Sequence, residues 1–115
     1  LSRALTTNRT LLELKLTRTR TSDRGAEALA KLLRENGTLK VFSLDSNQIG
    51  DRGFELLSRA LEENRSVECF NLSRNLVSDR SVEPMLSLLR SSRTFERLDL
   101  SRNLFSTPSK DTFRQ

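Results

Sequence analysis

Three arginines, Arg18, Arg74 and Arg102, occupy the same place in a periodic pattern, and two aspartates, Asp45 and Asp99, fall beside them. A guanidinium is a planar fork of donors that can pair a carboxylate through two bonds at once. A row of them therefore suits recognition of an acidic surface. Other chemistries have little to work with. Cys69 is the sole cysteine, and the chain has no histidine to activate it as a nucleophile. Asp45 and Asp99 lie two periods apart, about 10 Å at sheet spacing. With arginines nearby to hold both ionised, they read as recognition groups rather than as an acid–base pair. No cluster with metal-ligand spacing and no phosphate-cradling glycine loop is present. The expectation is a non-enzymatic protein with no catalytic residue, metal or cofactor.

These side chains are positioned by a unit that recurs every 28 residues. Leu11-x-x-Leu14-x-Leu16 returns as Leu39-x-x-Phe42-x-Leu44, then as Val67-x-x-Phe70-x-Leu72 and Phe95-x-x-Leu98-x-Leu100. A fixed period of this size means a stack of similar units, each burying its apolar side against the next. The first stretch of each unit alternates. Leu14 and Leu16 point one way and Glu13 and Lys15 the other, which is strand periodicity. Val41-Phe42-Ser43-Leu44, Cys69-Phe70-Asn71-Leu72 and Arg97-Leu98-Asp99-Leu100 do the same. A polar position follows (Thr19, Asn47, Asn75, Asn103), where an asparagine side chain can serve backbone groups of the turn. Two residues later comes a mostly apolar one, Thr21, Ile49, Val77 and Phe105. The two threonines should make the first turn the least regular.

The second half of each unit reads as a helix. Asp23, Asp51 and Asp79 stand where an N-cap would accept backbone N–H groups, and Thr107-Pro108 is the matching step in the last unit. Ala26, Leu29, Leu32 and Leu33 follow at helical spacing, with Phe54, Leu57, Ala60 and Leu61 one unit on. The helices are expected to end at Asn36-Gly37, Asn64-Arg65 and Ser92-Arg93, with Asn and Gly suited to a left-handed closing residue. Pro84 would break a helix begun at Asp79, so the third helix should start late, near Glu83 or Pro84. Arg24, Arg52 and Arg80 form a column at the helix starts. Positive charge is unfavourable there, and pairing with Asp23, Asp51 and Asp79 is expected to offset it.

A parallel sheet backed by helices must curve, because a helix is wider than the roughly 4.8 Å between strands. The fold class expected is an α/β solenoid, a horseshoe arc with the sheet concave and the helices convex. Strand residues that avoid the core then form columns on the concave face. Glu13, Val41, Cys69 and Arg97 make one, and Lys15, Ser43, Asn71 and Asp99 another. Thr17, Asp45, Ser73 and Ser101 come next, then Arg18, Ser46, Arg74 and Arg102, with Arg20, Gln48, Leu76 and Leu104 at the edge. The candidate partner-binding residues are Glu13, Lys15, Arg18, Arg20, Asp45, Gln48, Asn71, Arg74, Arg97, Asp99 and Arg102. The alternative is a solvated face whose charges pair with one another.

At 115 residues the chain can form one domain, 1–115, with a real core. It divides into a partial unit 1–10, full units 11–38, 39–66 and 67–94, and a partial unit 95–115. Leu1 falls in register with Leu29, Leu57 and Met85, and Phe113 takes up the same register at the other end. The expectation is a portion of a longer protein that opens inside a helix. The net charge is +5, with arginine far outnumbering lysine. Such a balance suits an acidic protein partner, nucleic acid or a membrane surface, or else basic residues that only solvate the helix faces. Nucleic acid is the weaker reading, since there is no Trp or Tyr to stack on bases and the core claims most of the six Phe. No apolar run approaches the roughly 20 residues of a membrane span. A lone cysteine fits a reducing compartment, cytoplasmic or nuclear. Four sequons occur, at Asn8, Asn36, Asn64 and Asn71, and the first three share one repeat position, so the repeat itself accounts for them.

The pattern LxxLxLxxNxL followed by an alanine- and leucine-rich helix resembles the leucine-rich repeat family. The 28-residue period with long helices is similar to its ribonuclease-inhibitor-like subclass. The clearest matches run Leu39-Lys40-Val41-Phe42-Ser43-Leu44-Asp45-Ser46-Asn47-Gln48-Ile49 and, with Phe95 and Phe105 at its ends, Leu98-Asp99-Leu100-Ser101-Arg102-Asn103-Leu104. The resemblance implies a scaffold that binds proteins through its concave face. That subclass includes ribonuclease inhibitors, sensing ends of innate immune receptors, Ran GTPase-activating proteins, actin-filament end-capping proteins and bacterial effectors. A small-GTPase regulator and an immune sensing domain are thus the alternatives that the resemblance adds.

Overall fold

A computed structural model describes residues 12–91 and 94–106 of the chain. Four short strands, β1 (Glu13–Lys15), β2 (Val41–Ser43), β3 (Cys69–Asn71) and β4 (Arg97–Asp99), pair in parallel in chain order. Each step advances the register by one period, with Leu14 opposite Phe42, Phe42 opposite Phe70, and Phe70 opposite Leu98. Between the strands run α1 (Asp23–Glu35), α2 (Asp51–Glu63) and α3 (Val82–Ser91), the last preceded by a 3-10 turn at Asp79–Ser81. The sheet is open and lines the concave side of the solenoid, with the helices on the convex side.

The core is the apolar row of each unit laid on the next. Phe42, Leu44, Ile49, Phe54, Leu57, Leu61, Phe70 and Leu72 are all buried, together with Ala26, Leu32 and Leu33. In-register stacking brings the rings of Phe42 and Phe70 to a centroid distance of 5.5 Å, tilted by 9°. The asparagine column does what its chemistry suggests. Asn75 Nδ2 donates to the carbonyls of Leu44, Leu72 and Ser73, and its Oδ1 accepts the N–H of Ile49. Asn47 and Asn103 repeat this between their own neighbouring turns. In the first unit Thr19 cannot, and the turn carries two left-handed residues, Arg18 and Arg20, where each other turn carries one.

Pro84 sits third in α3, where its missing N–H would have found no acceptor within the helix, so the late start expected near Glu83 is realised at Val82. Three local expectations need correction. The aspartates do not cap their own helices, whose N-cap positions are Ser22 and Gly50. Asp23, Asp51 and Asp79 instead reach across to the next unit and accept the N–H of Gly50, Ser78 and Ser106. The stack brings those donors within reach, and satisfying them outweighs local capping.

The first two helices end where expected, at Asn36 and Asn64, but their closing residues take another conformation. Asn36 and Asn64 are extended (φ −89° and −74°), not left-handed, and no glycine has positive φ. Asn64 Oδ1 accepts the N–H groups of Ser66 and Val67, and its Nδ2 donates back to Leu33 and Asn36. Such buried, committed amides make poor glycan acceptors. Finally, Arg24, Arg52 and Arg80 form no close ion pair among the described residues, because the aspartates are turned toward backbone N–H groups. The expected compensation survives only as the charge of Arg80 helping to hold the Asp51 carboxyl low. The opening register at Leu1, the Asn8 sequon, the helix end at Ser92-Arg93, the Thr107-Pro108 step and Phe113 lie outside the described residues.

Candidate functional site

The outward residues of the four strands enclose an open trough of about 330 Å³. Glu13 and Lys15 stand at one end and Arg97 and Asp99 at the other. Val41, Ser43, Cys69, Phe70 and Asn71 form its floor. The sequence-predicted residues Glu13, Lys15, Asn71, Arg97 and Asp99 are thus gathered in one depression. Val41, Ser43 and Cys69 belong to it as well. The column pattern placed them on this face, but their modest polarity gave no reason to choose them.

Charge at the trough's first end is spent internally. Lys15 Nζ pairs with Glu13 at 2.8 Å, and that hydrogen bond, with the charge behind it, raises the lysine pKa. Asp99 Oδ1 accepts the N–H and hydroxyl of Ser101, closing the turn after β4. Asn71 does the same for the N–H of Ser73. Arg97 has no ion-pair partner among the described residues. Cys69 is a free, half-buried thiol beside Arg97 in the register.

Asp45 lies at the rim. Its Oδ1 accepts the hydroxyls of Thr17 and Ser43, both at 2.8 Å, and the Thr17 bond is the largest influence holding its carboxyl below the ordinary range. The aspartate is therefore kept ionised by hydroxyls rather than by the arginine row.

Beyond the rim the chain turns sharply, and Arg18, Ser46, Arg74 and Arg102 all take the left-handed conformation, with φ between 55° and 60°. The ladder continues through this point. Arg18, Ser46 and Arg74 donate their N–H groups to Asp45, Ser73 and Ser101 of the next unit. A non-glycine residue in this region costs roughly 1–2 kcal/mol, and the buried asparagine that follows over-determines the turn. Ser46 interrupts the basic stripe, separating Arg18 from the pair Arg74 and Arg102. All three arginines are exposed and without an ion-pair partner among the described residues. Arg20 and Gln48 are exposed one row further out, joined there by Leu76 and Leu104. The eleven candidates therefore divide into a trough set and a rim set.

Residues 7–30 and 35–58 match the family described as Leucine Rich repeat, and β3, α3 and β4 continue the same unit. The fold is that of a leucine-rich-repeat solenoid. Its 28-residue units, the first three each with strand and helix, are consistent with the ribonuclease-inhibitor-like subclass.

The actin-binding site 2 of leiomodin-1 is a similar solved leucine-rich-repeat structure, with a TM-score of 0.81 at 27% identity. The match covers 98% of this chain and 65% of that one, so the chain spans just under two thirds of the leiomodin structure's length. The tropomodulin C-terminal domain from Caenorhabditis elegans is similar in fold, with a TM-score of 0.63 at 13% identity over 96% of this chain and 87% of that one. No curated protein gives a significant match. Among the described residues no helix is long and apolar enough to cross a membrane, and no group of residues could hold a metal ion.

Proposed function

We propose that this module binds an acidic surface of a protein partner through the concave trough and the arginine row at its rim, and that the partner is actin. The observation that carries the reading is the state of the arginines. Lys15, Arg34, Lys40 and Arg59 are paired with Glu13, Glu63, Glu68 and Glu55. Arg74 and Arg102, by contrast, stand exposed and without an ion-pair partner among the described residues, on turns held in a costly backbone conformation. A face meant only for solvent gains nothing from that arrangement. The rigid stack presents these groups with little ordering cost on binding.

Actin enters because leiomodin-1, whose solved structure is an actin-binding site, is alike in fold over nearly all of this chain. Neither solved relative supports the small-GTPase or immune-sensing alternatives. An intracellular setting belongs to the same reading. Sedimentation of the protein with actin filaments, and titration of monomeric actin, test it. Saturable binding that weakens as salt rises is expected for an arginine-driven contact. Absence of binding to either form at low ionic strength would remove actin as the partner.

A further inference from the structure

Two exposed leucines lie outside the trough, one unit apart, in a row otherwise made of Arg20 and Gln48. Leu76 is 48% exposed and Leu104 59%. Their backbones are pinned. Leu76 donates its N–H to Ile49 and Leu104 to Val77, and the bridge between Ser78 and Leu104 extends the parallel ladder past the strands. The two side chains therefore stand side by side at about the strand spacing of 4.8 Å. Isolated exposed leucines need no explanation, but these two are adjacent, fixed and framed by charge. Arg74 and Arg102 precede them on the left-handed turns, whereas Arg80, at the start of the helical segment, acts on Asp51 of the preceding unit. Neither Arg74 nor Arg102 has an ion-pair partner among the described residues. The nearest acidic side chain in sequence, Asp79, gives Oδ1 to the N–H of Ser106.

We infer that this ledge of Leu76 and Leu104, with Arg74 and Arg102 on the turns beside it, docks an amphipathic helix of a partner protein whose apolar residues recur once per turn and are flanked by carboxylates. Spacing selects the helix. One helical turn advances about 5.4 Å, close to the separation of neighbouring units. An extended segment repeats a side chain on one face only every ~6.6 Å and drifts out of step. Charge selects its flanks, because Arg74 and Arg102, which have no ion-pair partner among the described residues, stand beside the apolar pair, reject a basic helix and reward an acidic one. The left-handed turns supply preorganisation, since the arginine backbones are already fixed before the helix arrives.

This inference rests on the proposed protein-binding face, yet the two can fail separately. The isotopically labelled protein is titrated with a synthetic amphipathic helix carrying leucines one turn apart, flanked by glutamates, and with the same peptide carrying serines in their place. Saturable amide shifts are expected at residues 74–76 and 102–104 with the leucine peptide. The affinity should fall about tenfold or more in the Leu76→Ser/Leu104→Ser variant, which removes only exposed side chains and keeps the native melt. Absence of ledge shifts, equal response to the serine peptide, or unchanged affinity of the variant would each overturn the ledge. Actin binding is read in parallel. If the ledge binds the leucine peptide while the wild-type protein fails to bind actin, the ledge stands and actin falls. If wild type and variant bind actin alike and the peptide leaves the ledge untouched, the reverse holds.

Discussion

Asp51 Oδ1 accepts the backbone N–H of Ser78 at 2.8 Å, so the carboxylate that opens one helix secures the entry to the next. The hydroxyls of Ser78 and Ser81 complete its shell. Burial pushes this carboxyl upward, but the hydroxyl and N–H bonds outweigh it and leave its pKa below the ordinary 3.8. The folded state then binds fewer protons than the unfolded chain at acid pH, so stability rises with pH. The contribution is complete above 3.8 and is lost as pH falls through the lower folded value. Asp51→Asn should cost about 1–3 kcal/mol at neutral pH and flatten the acid limb of stability. Urea midpoints measured from pH 7 down to pH 3 check this, and parallel profiles for the two proteins would contradict it.

Gly53 carries a related prediction. A Cβ there would lie 2.5 Å from Asp23 Oδ1 and 2.8 Å from the Ile49 side chain. Replacing glycine by alanine inside a helix ordinarily stabilises by roughly 0.5–1 kcal/mol. Here Gly53→Ala should instead destabilise by about 1–3 kcal/mol, because the added methyl displaces the carboxylate that holds the Gly50 N–H. Thermal denaturation reports the sign directly.

Asn75 is 4% exposed and serves three carbonyls and one N–H. Asn75→Ala strands these groups in a buried turn, and a loss of about 2–4 kcal/mol is expected. Asn75→Asp keeps the acceptor but loses the donor to the carbonyls, and should be no better. Chemical denaturation separates both variants from wild type, and a loss under half a kcal/mol would show that water replaces the side chain.

These cases mark what could be read from the residues. The period, the strand at each alternating stretch, the buried leucines and phenylalanines and the asparagine ladder all follow from patterns local to one unit. The aspartate bonds did not, because a carboxylate beside a helix start reads as a cap until the next unit is stacked against it. A signal existed all the same. Each aspartate has a small residue 27 positions on, Gly50, Ser78 and Ser106, where a large side chain would crowd the contact. Left-handed backbone at Arg18, Arg74 and Arg102 was equally hidden, since arginine carries no propensity for it and only the turn imposes it. The columns identified which side chains face outward, whereas the division into trough and rim depended on how sharply each turn leaves the sheet.

The left-handed arginines predict a trade-off between stability and binding. Asparagine tolerates this conformation better than arginine does. Arg74→Asn should therefore raise stability by up to about 1 kcal/mol while weakening the partner. Melting curves and binding assays on the same preparation test both halves. A variant that loses stability would show that the arginine stem packs on the turn more than the backbone conformation costs.

Affinity for actin of wild type and of the Arg74→Ala/Arg102→Ala variant, measured at fixed low salt with both proteins shown to be folded, tests the arginine row most directly. A fall of about tenfold or more in the variant is expected from the loss of two interface arginines, with a weaker salt dependence in what remains. A folded double variant that binds as tightly as wild type, with the same salt dependence, would contradict the role assigned to the arginine row.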